Sequence, residues 1–156
     1  MKIRIGLALI IVFGMIACGK DKFQTIPQLT LRAKSPEVVP VNGTLRLNIE
    51  YTDKEGDVSD TVFIVRQRLN VRGPLLLQPS PYDIPEFPHT DKGEFEISLL
   101  YQRDLIFSIT PPLRIPGTNP AKYENDTLRL KIVAKDKAGN KSDTLVVDNV
   151  YVARIL

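Results

Sequence analysis

The spacing of apolar residues predicts an all-β protein, a Greek-key sandwich of about seven strands. Three observations predict it. From about Thr25 onward apolar side chains recur with period two rather than 3.6. The twelve prolines gather mainly in two clusters, Pro74 to Pro88 and Pro111 to Pro120, which would break any helix placed there. No apolar-periodic stretch is long enough to be a crossover helix between parallel strands.

The first predicted strand is Gln28 to Lys34. The second is the clearest, because Leu45, Leu47, Ile49 and Tyr51 alternate with Arg46, Asn48 and Glu50, the pattern of one buried and one wet face. The third runs from Thr61 to Val71, and the first proline cluster follows as a long surface connection. Glu94 to Tyr101 and Leu105 to Thr110 are the fourth and fifth. In the sixth, Thr127 to Lys135, one face holds Leu128, Leu130, Ile132 and Ala134 and the other Arg129, Lys131 and Val133. The seventh covers Asp143 to Ile155, with a break expected near Asp148-Asn149. There is no internal repeat and no low-complexity tract.

The amino end stands apart from this pattern. Met1, Lys2 and Arg4 make a short cationic start, and an apolar run from Ile5 to Ile16 follows. Twelve residues span roughly 18 Å as a helix, short of the ~30 Å hydrocarbon layer, so the run reads as a secretory signal and not as a membrane span. Met15-Ile16-Ala17-Cys18 resembles the lipobox of bacterial lipoproteins. The resemblance implies a diacylglyceryl thioether on Cys18, cleavage just before it by a dedicated signal peptidase, and acylation of the new amino end. Two or three acyl chains, at about 0.8 kcal/mol per buried methylene, anchor a protein firmly where one does not.

The expected organisation is therefore a signal peptide over 1–17, a lipidated amino end and short tether over 18–24, and a sandwich over 25–156. Cys18 is the only cysteine, which leaves the domain no internal disulfide and, once acylated, no thiol nucleophile. Residues 1–17 hold two of the 21 Lys and Arg residues and none of the 18 Asp and Glu residues, so the remainder carries +1 instead of +3. Balanced charge without a dense basic patch among aromatics gives no support to a nucleic-acid partner. The expected partners are the membrane, through the acyl chains, and an envelope protein or glycan. The expected location is the cell envelope at the outer membrane, with periplasmic and surface-exposed orientations both open: Lys20 and Lys22 flank a single Asp21.

Ala134-Lys135-Asp136-Lys137-Ala138-Gly139-Asn140-Lys141-Ser142 resembles the last hairpin of bacterial immunoglobulin-like domains, which closes in an Asp-x-Ala-Gly-Asn-x-Ser turn. With the lipobox, the Tyr51-Thr52-Asp53-Lys54-Glu55-Gly56-Asp57 loop and the proline-rich middle, nearly the whole chain is similar to a group of uncharacterised lipoproteins from Bacteroidetes-type bacteria. That similarity implies an immunoglobulin-like sandwich and brings no settled activity. Members often carry Asp-Gly-Asp-Gly-Asp where this chain has Asp53-Lys54-Glu55-Gly56-Asp57.

Asp53, Glu55, Asp57 and Asp60 offer oxygens for a hard cation such as Ca²⁺, and in an immunoglobulin-like arrangement Asp136, Asn140 and Asp143 would lie at the same end. The spacing is not that of an EF-hand, and Lys54, Lys135, Lys137 and Lys141 interleave with the acids. A solvated turn is the preferred reading and bound Ca²⁺ the alternative; no other cofactor is expected.

No catalytic constellation stands out. Ser80, His89 and Asp91 could be drawn as a triad, but such triplets arise by chance and are recognised only by geometry, so His89 reads as an exposed loop residue. Glu94 and Glu96 alternate with Phe95 and Ile97 and belong on an outer strand face, not across a cleft. The segment Leu75 to Pro88 places Tyr82, Ile84 and Phe87 where loops are usually polar. One reading is an exposed contact platform stiffened by proline; the preferred one is a connection whose Leu76, Ile84 and Phe87 cover an open sheet edge. The function expected is a non-enzymatic binding or structural module of the envelope, with a small hydrolase of envelope polymers as the alternative.

Overall fold

The computed structural model describes residues 25–86, 90–109 and 111–154, with the side chains of Ser59 and Asp60 set aside. Cys18, Phe87 and His89, and with them the signal peptide and tether, lie outside the described residues. Among those described, nine strands form two sheets: β1 Gln28–Ser35, β2 Val38–Val39, β3 Thr44–Thr52, β4 Val58–Arg68, β5 Leu75–Leu76, β6 Ser80–Asp83, β7 Lys92–Leu100, β8 Asp126–Asp136 and β9 Leu145–Val152. The first sheet runs β1-β3-β7. The second runs β2-β9-β8-β4-β5, with β6 also paired to β4.

The chain crosses from β3 to β4, returns to β7, crosses again to β8 and turns back as β9. This is a Greek-key β-sandwich, with β2 parallel to β9 and the other pairs antiparallel, and it has the immunoglobulin-like order of strands. Period two is the cause of the core. Leu45, Leu47, Ile49 and Tyr51 from β3, Phe95, Ile97 and Leu99 from β7, and Leu128, Leu130, Ile132 and Ala134 from β8 are all buried between the sheets.

Three expectations about elements need correction. Leu105 to Thr110 is not a strand: Tyr101–Leu105 is a π-helical turn, and Ser108 then takes φ +63°. Leu105 and Ile109 are buried while Phe107 is 63% exposed, so the apolar residues that suggested alternation are spaced instead for one irregular turn. The third strand begins at Val58 and stops at Arg68, leaving Val71 exposed. The last strand is not broken; Asn149 at φ +56° and a register shift opposite Leu128 and Leu130 form a bulge through which β9 continues.

The proline-rich segment is an edge. β5 pairs Leu76 with Gln67 and β6 pairs Ser80 with Ile64, and between them Leu77 N–H donates to Arg66 O at 2.9 Å. One strand, interrupted around Pro79, thus covers the open side of β4. Proline is tolerated there because an edge strand needs donors on one side only.

Candidate functional site

Gln28, the first residue of β1, pairs with Thr52, the last of β3, so the chain enters the sandwich beside the 53–57 loop. The segment leading to Lys92 and the β8–β9 hairpin sit at the same end, since Thr52 pairs with Lys92 and Val58 with Asp136. This end holds the acidic residues singled out in the sequence. The structure separates their roles.

Asp136 is committed to the hairpin. Its Oδ1 accepts Asn140 N–H at 2.6 Å and its Oδ2 accepts Asn140 Nδ2 at 2.7 Å, while Ser142 Oγ accepts Ala134 N–H at 3.0 Å and donates to Asp143 O. The Asp-x-Ala-Gly-Asn-x-Ser motif is therefore a turn lock, with Gly139 supplying φ +98°. Glu55 and Asp143 are exposed. Asp60 lies in β4 with its side chain outside the description, and Asp91 contributes only its carbonyl, which accepts Asp53 N–H at 2.9 Å.

Asp53 corrects the expectation of a solvated turn, because it is wholly buried. Its Oδ2 accepts Asp57 N–H at 3.1 Å and its carbonyl accepts Gly56 N–H at 3.2 Å. Its Oδ1, and Oδ1 of Asp57, are buried and meet no N–H or hydroxyl among the described residues. Burial pushes the Asp53 carboxyl above its ordinary range; the Asp57 N–H opposes this, and contact with the Asp57 carboxyl adds to it. Among the described residues no three Asp, Glu, His or Cys side chains converge as a metal-ligand group.

Of the three residues weighed as a contact platform, Phe87 lies outside the described residues and the other two are engaged in the sandwich. Ile84 is buried in the core. Tyr82 is half-buried with its hydroxyl occupied, accepting Ser98 N–H at 2.9 Å and donating to Ser98 O at 3.0 Å across to the first sheet. Of the residues expected to cover the edge, Leu76 turns outward, 61% exposed. Ser80 Oγ donates to Ile64 O at 3.3 Å, so it serves the edge and not a triad.

A surface that the sequence reading missed lies on the outer face of the second sheet. Val62, Ile64, Arg66 and Arg68 take the inward positions of β4, which turns Phe63 and Val65 outward. Phe63 pairs with Val133 of β8, and Pro79, Lys135 and Lys141 complete an open groove of about 430 Å³. Its floor is apolar, Phe63 is 39% exposed, and both lysines are exposed at the rim without an acidic partner among the described residues. No signal in the sequence fixed the phase of β4, which is apolar on both faces; its register with β8 does, setting Val62 and Ile64 opposite the inward Ala134 and Ile132 and sending Phe63 the other way.

The far end of the sandwich is built on arginine. Arg66 Nη1 donates to the carbonyls of Asp104 and Phe107 at 2.7 and 3.0 Å, and Arg68 Nε donates to Gly73 O at 2.6 Å. Arg154 Nη2 donates to Ile109 O at 2.8 Å. Asp126, wholly buried, stands between Arg68 at 3.4 Å and Arg154 at 3.2 Å. These guanidiniums hold the irregular backbone after the π-helical turn through main-chain oxygens and the Asp126 carboxylate.

Fold and surface together define a β-sandwich with an apolar, lysine-rimmed groove on one sheet face. No family model and no curated protein matches the chain. Among solved structures it is similar to the β-glucosidase of Listeria innocua in complex with gluconolactone, at 10% identity and a TM-score of 0.37. It is also similar to the sporulation control protein Spo0M of Bacillus subtilis, at 9% identity and a TM-score of 0.38. In each case 83% of this chain is covered, against 16% of the glucosidase and 50% of Spo0M, so the chain spans well under two thirds of either.

Proposed function

We propose that the chain is a lipid-anchored protein of the bacterial envelope whose sandwich is a non-enzymatic binding module for an acidic protein partner. The observation that carries this reading is the groove over Phe63, Val65, Val133 and Pro79 between Lys135 and Lys141. One ring and three aliphatic groups on an exposed sheet face cost solvation until covered, and two unpaired lysines at the rim favour an anionic occupant. The floor suits apolar side chains better than a sugar, which needs several polar groups converging on it. The lipobox at Cys18 supplies the anchor. β1 begins at the end of the sandwich where Lys135 and Lys141 lie, so a short tether before it would bring the partner close to the bilayer.

Two measurements test the reading. Cys18→Ser is expected to leave an uncut, unlipidated precursor that leaves the detergent phase; wild type and variant partitioning alike with equal mass would remove the anchor. Photo-crosslinking in cells from position 63, compared with position 107 at the far end, is expected to yield an acidic protein adduct from position 63 that disappears in Lys135→Glu/Lys141→Glu. An adduct indifferent to the charge reversal, or one with a glycan, would overturn the partner class.

A further inference from the structure

A cavity of about 180 Å³, distinct from the Phe63 groove, opens on the side of the sandwich where β6 of one sheet faces β7 of the other. Ile64, Leu99 and Pro81 give it apolar walls, the exposed Phe107 stands at its mouth, and Arg66, Arg103 and Asp104 are its charged lining. These charges are unequally provided for. Arg103 Nε and Nη2 donate to Asp104 Oδ1 and Oδ2 at 2.8 and 2.9 Å, and Oδ2 also accepts Leu100 N–H at 2.8 Å. The Asp104 carboxylate is thereby engaged, and Arg66 receives only its main-chain carbonyl. Arg66 is 7% exposed, and both of its hydrogen bonds leave from Nη1. Its Nε and Nη2 meet no acceptor among the described residues, yet neither is sealed in protein; the space the side chain lines is the cavity. Burial pushes this guanidinium below its ordinary range, with the charge of Asp104 opposing.

A guanidinium carries its donors in a rigid planar fork, and the Nε and Nη2 edge takes a carboxylate through two parallel bonds. Such a pair is strong where water is scarce, because the same burial that penalises a lone cation strengthens its attraction to an anion. Arg66 and Arg103 against Asp104 leave the lining one positive charge, which a monoanion balances. A phosphate dianion would exceed it and set its remaining oxygens against Ile64 and Leu99. Size limits the rest of the ligand: a cavity of ~150 Å³ holds benzene, so this one admits an apolar body of up to about six carbons. The walls also lack a spare group for a peptide amide. The Tyr82 hydroxyl both accepts from and donates to Ser98, and Ser80 Oγ donates to Ile64 O. We propose that this cavity binds a small free monocarboxylic acid, with its carboxylate on Arg66 and its aliphatic body against Ile64, Leu99 and Phe107.

The full chain, held in detergent and labelled at its Ile, Leu and Val methyl groups, is titrated by NMR with isovalerate and separately with isovaleramide, phosphate and N-acetylvaline. Isovalerate is expected to shift the Ile64 and Leu99 methyls to saturation, with a dissociation constant on the order of 1 mM, and to leave Val133 on the outer face unmoved. Isovaleramide has the same shape without the charge and is expected to bind at least about tenfold more weakly. Arg66→Gln is expected to weaken isovalerate by about as much. That variant also takes a donor from the carbonyls of Asp104 and Phe107, so the comparison of acid with amide in the unaltered chain decides the matter without it. Equal binding of acid and amide, or no shift at Ile64 and Leu99, would overturn the proposal. Shifts confined to Val133 would move the acid to the lysines of the outer groove and overturn the site. Phosphate or N-acetylvaline binding at Ile64 and Leu99 as tightly as isovalerate would overturn the ligand class.

Discussion

The two ends of the sandwich solve the same problem with opposite charge. At the far end, irregular backbone leaves carbonyls facing inward, and Arg66, Arg68 and Arg154 satisfy those of Asp104, Phe107, Gly73 and Ile109. Asp126 supplies the countercharge from within the fold. At the entry end, Asp136 is likewise consumed by its own hairpin, while Asp53 and Asp57 bring two carboxyls together and Oδ1 of each meets no N–H or hydroxyl among the described residues. At the cationic end Asp126 Oδ2 and Arg154 Nη1 make no aligned hydrogen bond but face each other at 3.2 Å as opposite charges, whereas at the anionic end two carboxyls meet. Opposite charges buried together stabilise one another, while two carboxyls buried together favour the protonated form of one of them.

The largest test of that contrast is Asp126→Ala. It leaves Arg68 and Arg154 buried without a countercharge, and removing one partner of such a cluster is expected to cost about 3–5 kcal/mol in a denaturant melt. A loss under about 1 kcal/mol would mean that the carbonyls alone suffice and that the far end does not need its acid. Ile84→Ala comes next. The residue is buried after β6, at the entry end, and the truncation is expected to cost about 2–3 kcal/mol. An unchanged midpoint would return Ile84 to the surface and loosen the whole end.

The smallest effect is on pH. Because burial raises the Asp53 carboxyl in the folded state, the native chain takes up a proton before the unfolded chain does. Stability should therefore rise modestly as pH falls from neutrality through the folded value, with the gain complete below the unfolded one. The Asp53→Asn variant should lack this component. A melting temperature that falls over the same interval by the same amount in both proteins would show that the carboxyl is not held above its ordinary range.

Much of this fold could be read from the residues, and the failures have physical causes. Alternation located β3 and β8 because each buries one face only, so polar and apolar residues had to take turns. It misled at Leu105 to Thr110, where Leu105, Phe107 and Ile109 happen to alternate although only Leu105 and Ile109 meet the core. It found β4 but not its phase, because Val62 and Phe63, and Ile64 and Val65, are apolar on both faces and the inward positions then pass to Arg66 and Arg68. Only the partner strand fixes that phase, which is why the groove at Phe63 and the arginine cluster both escaped notice. The acidic loop was located correctly, but spacing along the chain carries no information about burial, and Asp53 was read as hydrated.

The parallel pairing of β2 with β9 has a mechanical consequence. Val38 and Val39 lie alongside Tyr151 and Val152, Ala153 N–H donates to Val39 O at 2.9 Å, and Lys34 Nζ reaches the carbonyls of Asp148 and Asn149. Tension applied from the amino side of β1 against the carboxyl side of β9 would draw β2 and β9 past each other lengthwise. Their bonds would then be loaded together in shear instead of opening one after another from an end. The Lys34 contacts to the carbonyls of Asp148 and Asn149 would share that load.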